Sequence, residues 1–207
     1  MGFITLEYSK QFLKGKTPEQ KKILQKYFLA SGCIGSLTAM KDEQYDALVK
    51  EKVDALNLKQ RALNKIGLDE SEVSEITPVT FYGWERSGDW CGKRGKDGEY
   101  RTSKYQTSWI FFSSTQVYVY SYTVDMIGNS KSEYTEEYFY KDITNFAMET
   151  STEEFKDMNN KPYSVEFNAF KIVVPGDKKV FAVGGMNMEE VERSLQAMKQ
   201  KLREKKM

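Results

Sequence analysis

Thr115-Gln116-Val117-Tyr118-Val119-Tyr120-Ser121-Tyr122-Thr123-Val124-Asp125 alternates two sets of side chains. On an extended chain Tyr118, Tyr120, Tyr122 and Val124 point one way, and Val117, Val119, Ser121 and Thr123 point the other, the period of two that a β-strand imposes. β-Branched and aromatic residues fit a pleated surface, so this stretch is predicted to be a strand in a sheet with two differently lined faces. Six further runs of the same character surround it, at about Ile76–Arg86, Tyr105–Phe112, Glu133–Lys141, Thr144–Glu149, Tyr163–Val174 and Lys179–Val183. Ser-Ser, Gly-Asn-Ser, Asn-Asn-Lys-Pro and Pro-Gly-Asp turn signals separate the runs, and short strands joined by such turns read as an antiparallel sheet.

The pattern changes to helical at both ends. Beyond the strands, Asn187 caps a segment in which Met188, Val191, Leu195, Met198 and Leu202 share one face. Its apolar stripe must cover an open end or face of the sheet, and its lysine-rich end complements the helix dipole. Before the strands, Thr17-Pro18-Glu19-Gln20 starts a helix running to about Ala30, and the glycines of Ser31-Gly32-Cys33-Ile34-Gly35 break it. Tyr45, Leu48, Val49, Val53, Leu56, Leu63 and Ile66 predict one longer helix from Leu37 to Ile66, which Gly67 ends. Paired with Ile23, Leu24, Tyr27 and Phe28, it makes a helical hairpin. The expected division is a helical part over residues 1–70 and a β part with its closing helix over residues 71–207.

Tyr138-Phe139-Tyr140-Lys141-Asp142-Ile143-Thr144-Asn145-Phe146 carries a more specific signal. An aromatic pair, then Asp-Ile, then an apolar residue three positions on resembles the strand-turn-strand signature of bacterial pleckstrin-homology-like and GRAM-like domains. The resemblance covers residues 76–205 and implies an α+β fold: a seven-stranded antiparallel barrel capped by a C-terminal helix, preceded here by the helical hairpin. It implies an interaction or assembly module, binding a protein partner or a second copy of itself, and no cofactor. Physically, Asp142 is placed to accept backbone N–H groups in the turn while Ile143 and Phe146 return to the core.

Composition narrows the chemistry. Among 207 residues there is no histidine, which removes the usual general base and the commonest metal ligand, so no catalytic residue and no metal site are assigned. The 31 basic and 30 acidic residues nearly cancel, which argues against nucleic acid as a partner. Cys33 and Cys91, the two cysteines, are too sparse for a disulfide framework and read as free thiols. Met1 to Phe12 mixes Glu7 and Lys10 with apolar residues, and Leu6 stands where N-myristoylation wants Ser or Thr. No run is long and apolar enough for a membrane span, so a cytoplasmic protein with no integral membrane segment is expected.

Two candidate surfaces remain. The connection from Ser87 to Lys104 is glycine-rich and basic, and Lys93, Arg94, Lys96, Arg101 and Lys104 are the candidate cradle for an anionic lipid or headgroup, with Asp97 and Glu99 interleaved among them. A solvated hairpin loop explains the same residues with less. Trp84, Trp90, Tyr118, Tyr120 and Tyr122, with Trp109, either fill the core, which is the stronger reading, or line a groove, in which case the tyrosines are the exposed members. Glu136-Glu137 and Glu153-Glu154 are adjacent on strands and so point to opposite faces. Asp89 and Cys91 have no histidine to activate a thiol, and a histidine-free enzyme is the least favoured reading.

Overall fold

A computed structural model describes residues 13–30, 38–73, 77–156, 161–184 and 188–206. The expected break at 31–35, Cys33, the cap Asn187 and the Met188 side chain lie outside the described residues.

The fold is mixed α+β with antiparallel sheets and a C-terminal helix. Strands β1 (Val79–Glu85), β4 (Lys104–Phe112), β5 (Gln116–Asp125) and β6 (Lys131–Phe139) form one sheet in that order. Strands β7 (Asn145–Lys156), β8 (Pro162–Val174) and β9 (Asp177–Val183) form a second. These seven lie at the expected runs. Two more were not expected: β2 (Gly92–Arg94) and β3 (Tyr100–Thr102) pair as a separate ribbon inside the stretch read as a loop. Among the described residues there are nine strands in three sheets rather than seven in one.

Nor do the sheets close into a barrel, and this corrects the expected architecture. After β6 a 3₁₀ turn, Tyr140–Asp142, carries the chain out of the first layer, and Ile143, just past the turn, and Phe146, at the start of β7, re-enter the core. At the other side β1 and β9 meet at a crossing instead of a ladder. Gly184 N–H donates to the Tyr82 carbonyl at 2.9 Å, and the Gln106 side chain accepts from Ala182 N–H at 2.8 Å. Gly83 permits this approach, because a Cβ there would stand 2.8 Å from the Gly184 nitrogen.

Between the layers lies a core of Phe81, Ile110, Phe112, Val117, Val119, Phe146, Phe170, Ile172 and Phe181, with Phe81 and Phe170 stacked at 4.3 Å. The C-terminal helix α4 (Met188–Lys206) drives Val191, Leu195, Met198 and Leu202 into this same cluster, covering its open side. It is not long and apolar enough to cross a membrane, and no other described helix is.

The outer face of the first sheet is covered by the N-terminal helices. Helix α1 (Pro18–Ile23) starts at the expected Thr17 cap, which Gln20 completes as a capping box, and runs into a π-helical turn, Leu24–Phe28. The helix expected over 37–66 is two helices, α2 (Asp42–Asp54) and α3 (Leu58–Ile66), broken at Asn57 with φ of 45°. The break lets each half reach a different part of the sheet. Tyr45 and Val49 of α2 join Tyr27 and Trp84, with Tyr27 and Tyr45 stacked at 4.2 Å. Leu58, Ala62 and Leu63 of α3 lie on Tyr118, Tyr120 and Tyr122. Asn is one of the few non-glycine residues that adopts the left-handed region at modest cost.

Candidate binding site

The β2–β3 ribbon is fixed by charge. Arg101, buried on β3, donates from Nε and Nη2 to the Asp46 carboxylate of α2 at 2.7 and 2.8 Å, and from Nη1 and Nη2 to Asp97 at 2.9 and 2.6 Å. Such bidentate pairing fixes both distance and orientation. It keeps Arg101 charged far above any working pH and pulls Asp97 down to about 2, chiefly through the Arg101 hydrogen bonds. Asp42 of α2 accepts from the Lys96 backbone N–H at 2.9 Å and from the Tyr27 hydroxyl at 2.9 Å. Burial and this acceptor both push the Tyr27 hydroxyl pKa up. The ribbon is thereby tied to the helices, and it stands beside the open end of β1.

The five basic residues named from sequence do not converge. Arg101 faces carboxylates, while Lys93 lies 4.4 Å from the centre of the Tyr27 ring. Arg94 donates to the Gly98 carbonyl and stands 5.3 Å from the Tyr163 ring, Lys96 is exposed, and Lys104 Nζ donates to the Ser87 carbonyl at 2.8 Å.

The aromatic residues divide. Tyr118, Tyr120 and Tyr122 are 8%, 0% and 6% exposed, so the expectation that tyrosines would be the exposed members of a groove is overturned. Helix α3 covers them, and the Tyr120 hydroxyl is satisfied by Glu133 at 2.9 Å rather than by water. Trp109 packs against the same cluster. Trp84 and Trp90 instead stay half-buried at the edge of a groove of about 840 Å³ that crosses the outer face of the second sheet.

On that face Phe155, Phe167 and Tyr163 of β7 and β8 gather around Tyr100 of β3, with Tyr100 and Phe155 stacked at 4.7 Å. Gly92 leaves room for this, since a Cβ would come within 2.6 Å of the Trp90 and Tyr100 rings. Arg86 lies 3.4 Å above the Phe167 ring centre and is paired with Glu153. Val180, 43% exposed, continues the strip beside Ala169 and Ala182, and Glu149, paired with Lys171, borders it. Phe155, Phe167 and Tyr163 were missed from sequence, because only the register of β7 on β8 brings them beside a ribbon more than fifty residues away.

Groups weighed for catalysis from sequence are tied up in the fold. Of the adjacent carboxylates, Glu136 pairs with Lys179 at 2.6 Å and Glu153 with Arg86. Cys91 is buried and its thiol is pushed up to about 11 by burial, so it is a poor nucleophile at neutral pH. Among the described residues no three potential metal ligands cluster. No protein-family model matches the chain, and no curated protein or solved structure is significantly similar to it.

Proposed function

We propose that this chain is a non-enzymatic binding module of the pleckstrin-homology-like kind, which docks a segment of a protein partner along the groove over β7–β9. The order of elements supports the kinship: six strands, two of them the short ribbon, then a sharp 3₁₀ turn, three strands and a closing helix. What carries the docking role is the groove itself. It combines half-buried aromatic rings, an exposed aliphatic residue and charges of both signs, the mixture that characterises protein interfaces rather than enzyme clefts. Arg86 and Arg94 stand against Glu85, Glu99, Glu149, Glu153 and Glu166 along it, so the lining is acidic on balance and a peptide carrying basic residues finds complements there. The dispersal of the five basic side chains speaks against a headgroup cradle.

The test is site-specific photocrosslinking in the native cell, with benzoylphenylalanine at Val180 in the groove or at Glu192 on the exposed face of α4. A discrete protein adduct from Val180, absent from Glu192 and lost on Trp90→Ala plus Phe167→Ala, is the expected result. Equal labelling from both positions, or none from Val180, rejects the groove as a docking surface. An adduct at twice the chain's own mass identifies the partner as a second copy.

A further inference from the structure

A second cleft, of about 610 Å³, lies on the opposite side of Trp84, between α2 and the outer face of β1 and β4. We propose that it takes a cationic side chain, Lys or Arg, presented by a partner polypeptide; in having a polypeptide ligand, and only in that, this rests on the function proposed above.

The cleft floor consists of Tyr82, Trp84, Tyr105 and Thr107. The β1–β4 register sets Tyr82 opposite Thr107 and Trp84 opposite Tyr105, so all four side chains share the outer face. Trp84 and Tyr105 meet edge to face, with centroids 4.9 Å apart and planes at 74°, and Tyr82 stands 6.4 Å from Tyr105. The far side of Trp84 is backed by Tyr45 at 5.7 Å, which fixes the indole plane. Rings meeting at such an angle offer π-faces to a cation lying in the corner, where the ring quadrupole attracts positive charge.

The walls are acidic. Glu43, Asp46 and Asp54 come from α2 and Glu99 from the ribbon, against Lys50. Lys50 is paired with Asp54, Arg101 engages Asp46 and lies 3.8 Å from Glu99, and Glu99 also accepts from Trp84 Nε1 at 3.1 Å. Glu43, exposed at the mouth, has no ion pair among the described residues. The balance therefore stays negative after every internal pairing is counted.

A third observation, independent of charge, comes from Thr107. It is 6% exposed, and its Oγ1 is shut off from solvent with no hydrogen-bond partner. A buried hydroxyl left this way is unfavourable and rare, and a ligand N–H that parts the side chains over it finds an acceptor there. An anion is repelled by the walls. A neutral apolar group leaves both the carboxylates and the hydroxyl unmet, and a quaternary ammonium has no N–H to give. A Lys or Arg side chain meets all three conditions, laying its aliphatic stem on Val53 and the rings while its head reaches the acids.

The experiment is a ¹⁵N NMR titration of the full chain with acetyl-Gly-Arg-Gly-amide and acetyl-Gly-Lys-Gly-amide, using the citrulline and norleucine peptides as neutral controls. Saturable shifts of the Trp84 indole N–H and the Thr107 amide with the cationic peptides alone are expected. Thr107→Val should weaken that binding about tenfold while leaving the melting temperature equal or higher, because the hydroxyl it removes has no partner in the free protein. Glu43→Gln on the exposed face of α2 should weaken it about threefold, and the difference should shrink in high salt. Neutral peptides shifting the same signals equally, or no response at Trp84 and Thr107, overturns the proposal. Tighter binding of spermidine than of either peptide replaces the polypeptide with a free polyamine and overturns it too. Crosslinking at Val180 without this response removes the cleft alone, whereas the response without crosslinking removes the groove and leaves the cleft.

Discussion

The two sheets carry aromatic stripes on their outer faces, and the molecule treats them oppositely. On the first sheet Tyr118, Tyr120 and Tyr122 are roofed by Leu58, Ala62 and Leu63 of α3. Glu133 receives the Tyr120 hydroxyl, both nitrogens of an Arg61 fork at 2.6 and 2.7 Å, and Lys65 at 3.5 Å. On the second sheet no helix roofs Phe155, Phe167 and Val180: the ribbon and Arg86 touch the two rings along one margin, and Phe167 and Val180 border the open groove. Aromatic content therefore does not mark a binding surface. What decides is whether the chain supplies a cover, and here its N-terminal helices cover one face and leave the other.

The contrast breaks first on truncation. Tyr120→Ala should cost about 3–5 kcal/mol, as expected for a large side chain removed from a sealed site, while Phe167→Ala on the open face should cost about 1 kcal/mol. Urea midpoints measure both, and equal losses would mean that the second face is a core and not a surface. Arg101→Ala should cost about 2–3 kcal/mol by removing charge-assisted bonds from a buried guanidinium. Hydrogen exchange should then quicken in residues 92–102 before anything changes in β7–β9.

Acid titration sharpens the same contrast. Glu133 is lowered from its ordinary 4.5 to about 2, first by the Arg61 hydrogen bonds and then by the Tyr120 hydroxyl. A depressed folded pKa means that its stabilisation is complete above pH 4.5 and is lost as pH falls toward 2. Glu133→Gln should therefore cost about 1–2 kcal/mol at pH 7 and flatten that part of the acid limb in pH-dependent urea melts. Smallest of all, Val180→Glu should move stability by no more than about 0.5 kcal/mol, yet abolish partner capture by the groove.

Much of this fold was legible because its signals are local. The alternation of β5 separated Val117 and Val119 from the tyrosines, though not which face would meet the second sheet, and the stripe of α4 picked out Val191, Leu195, Met198 and Leu202. The ribbon was not legible: three-residue strands are too short for a period, and Lys93, Arg94 and Arg101 look like a solvated loop until their partners Tyr27, Tyr163 and Asp46 are brought near. The break at Asn57 was hidden because apolar spacing continues through Val53 and Leu56. Of the site, Trp84, Trp90 and Arg94 were named from sequence, but Tyr100, Phe167 and Val180 were not. Those contacts depend on sheet register and on which faces the helices occupy, and neither is written in any single window of residues.

Asp42 and Asp46 stand one helical turn apart and secure the ribbon across separations of 54 and 55 residues, while Arg61 reaches Glu133 across 72. Each link joins an early part of the chain to a part made much later. During synthesis the first helices therefore leave the ribosome with Tyr27, Tyr45 and Leu63 uncovered, and they cannot settle until the strands they roof have followed. Loops of that length slow the closing step, and the waiting apolar faces are where a nascent chain would need a chaperone.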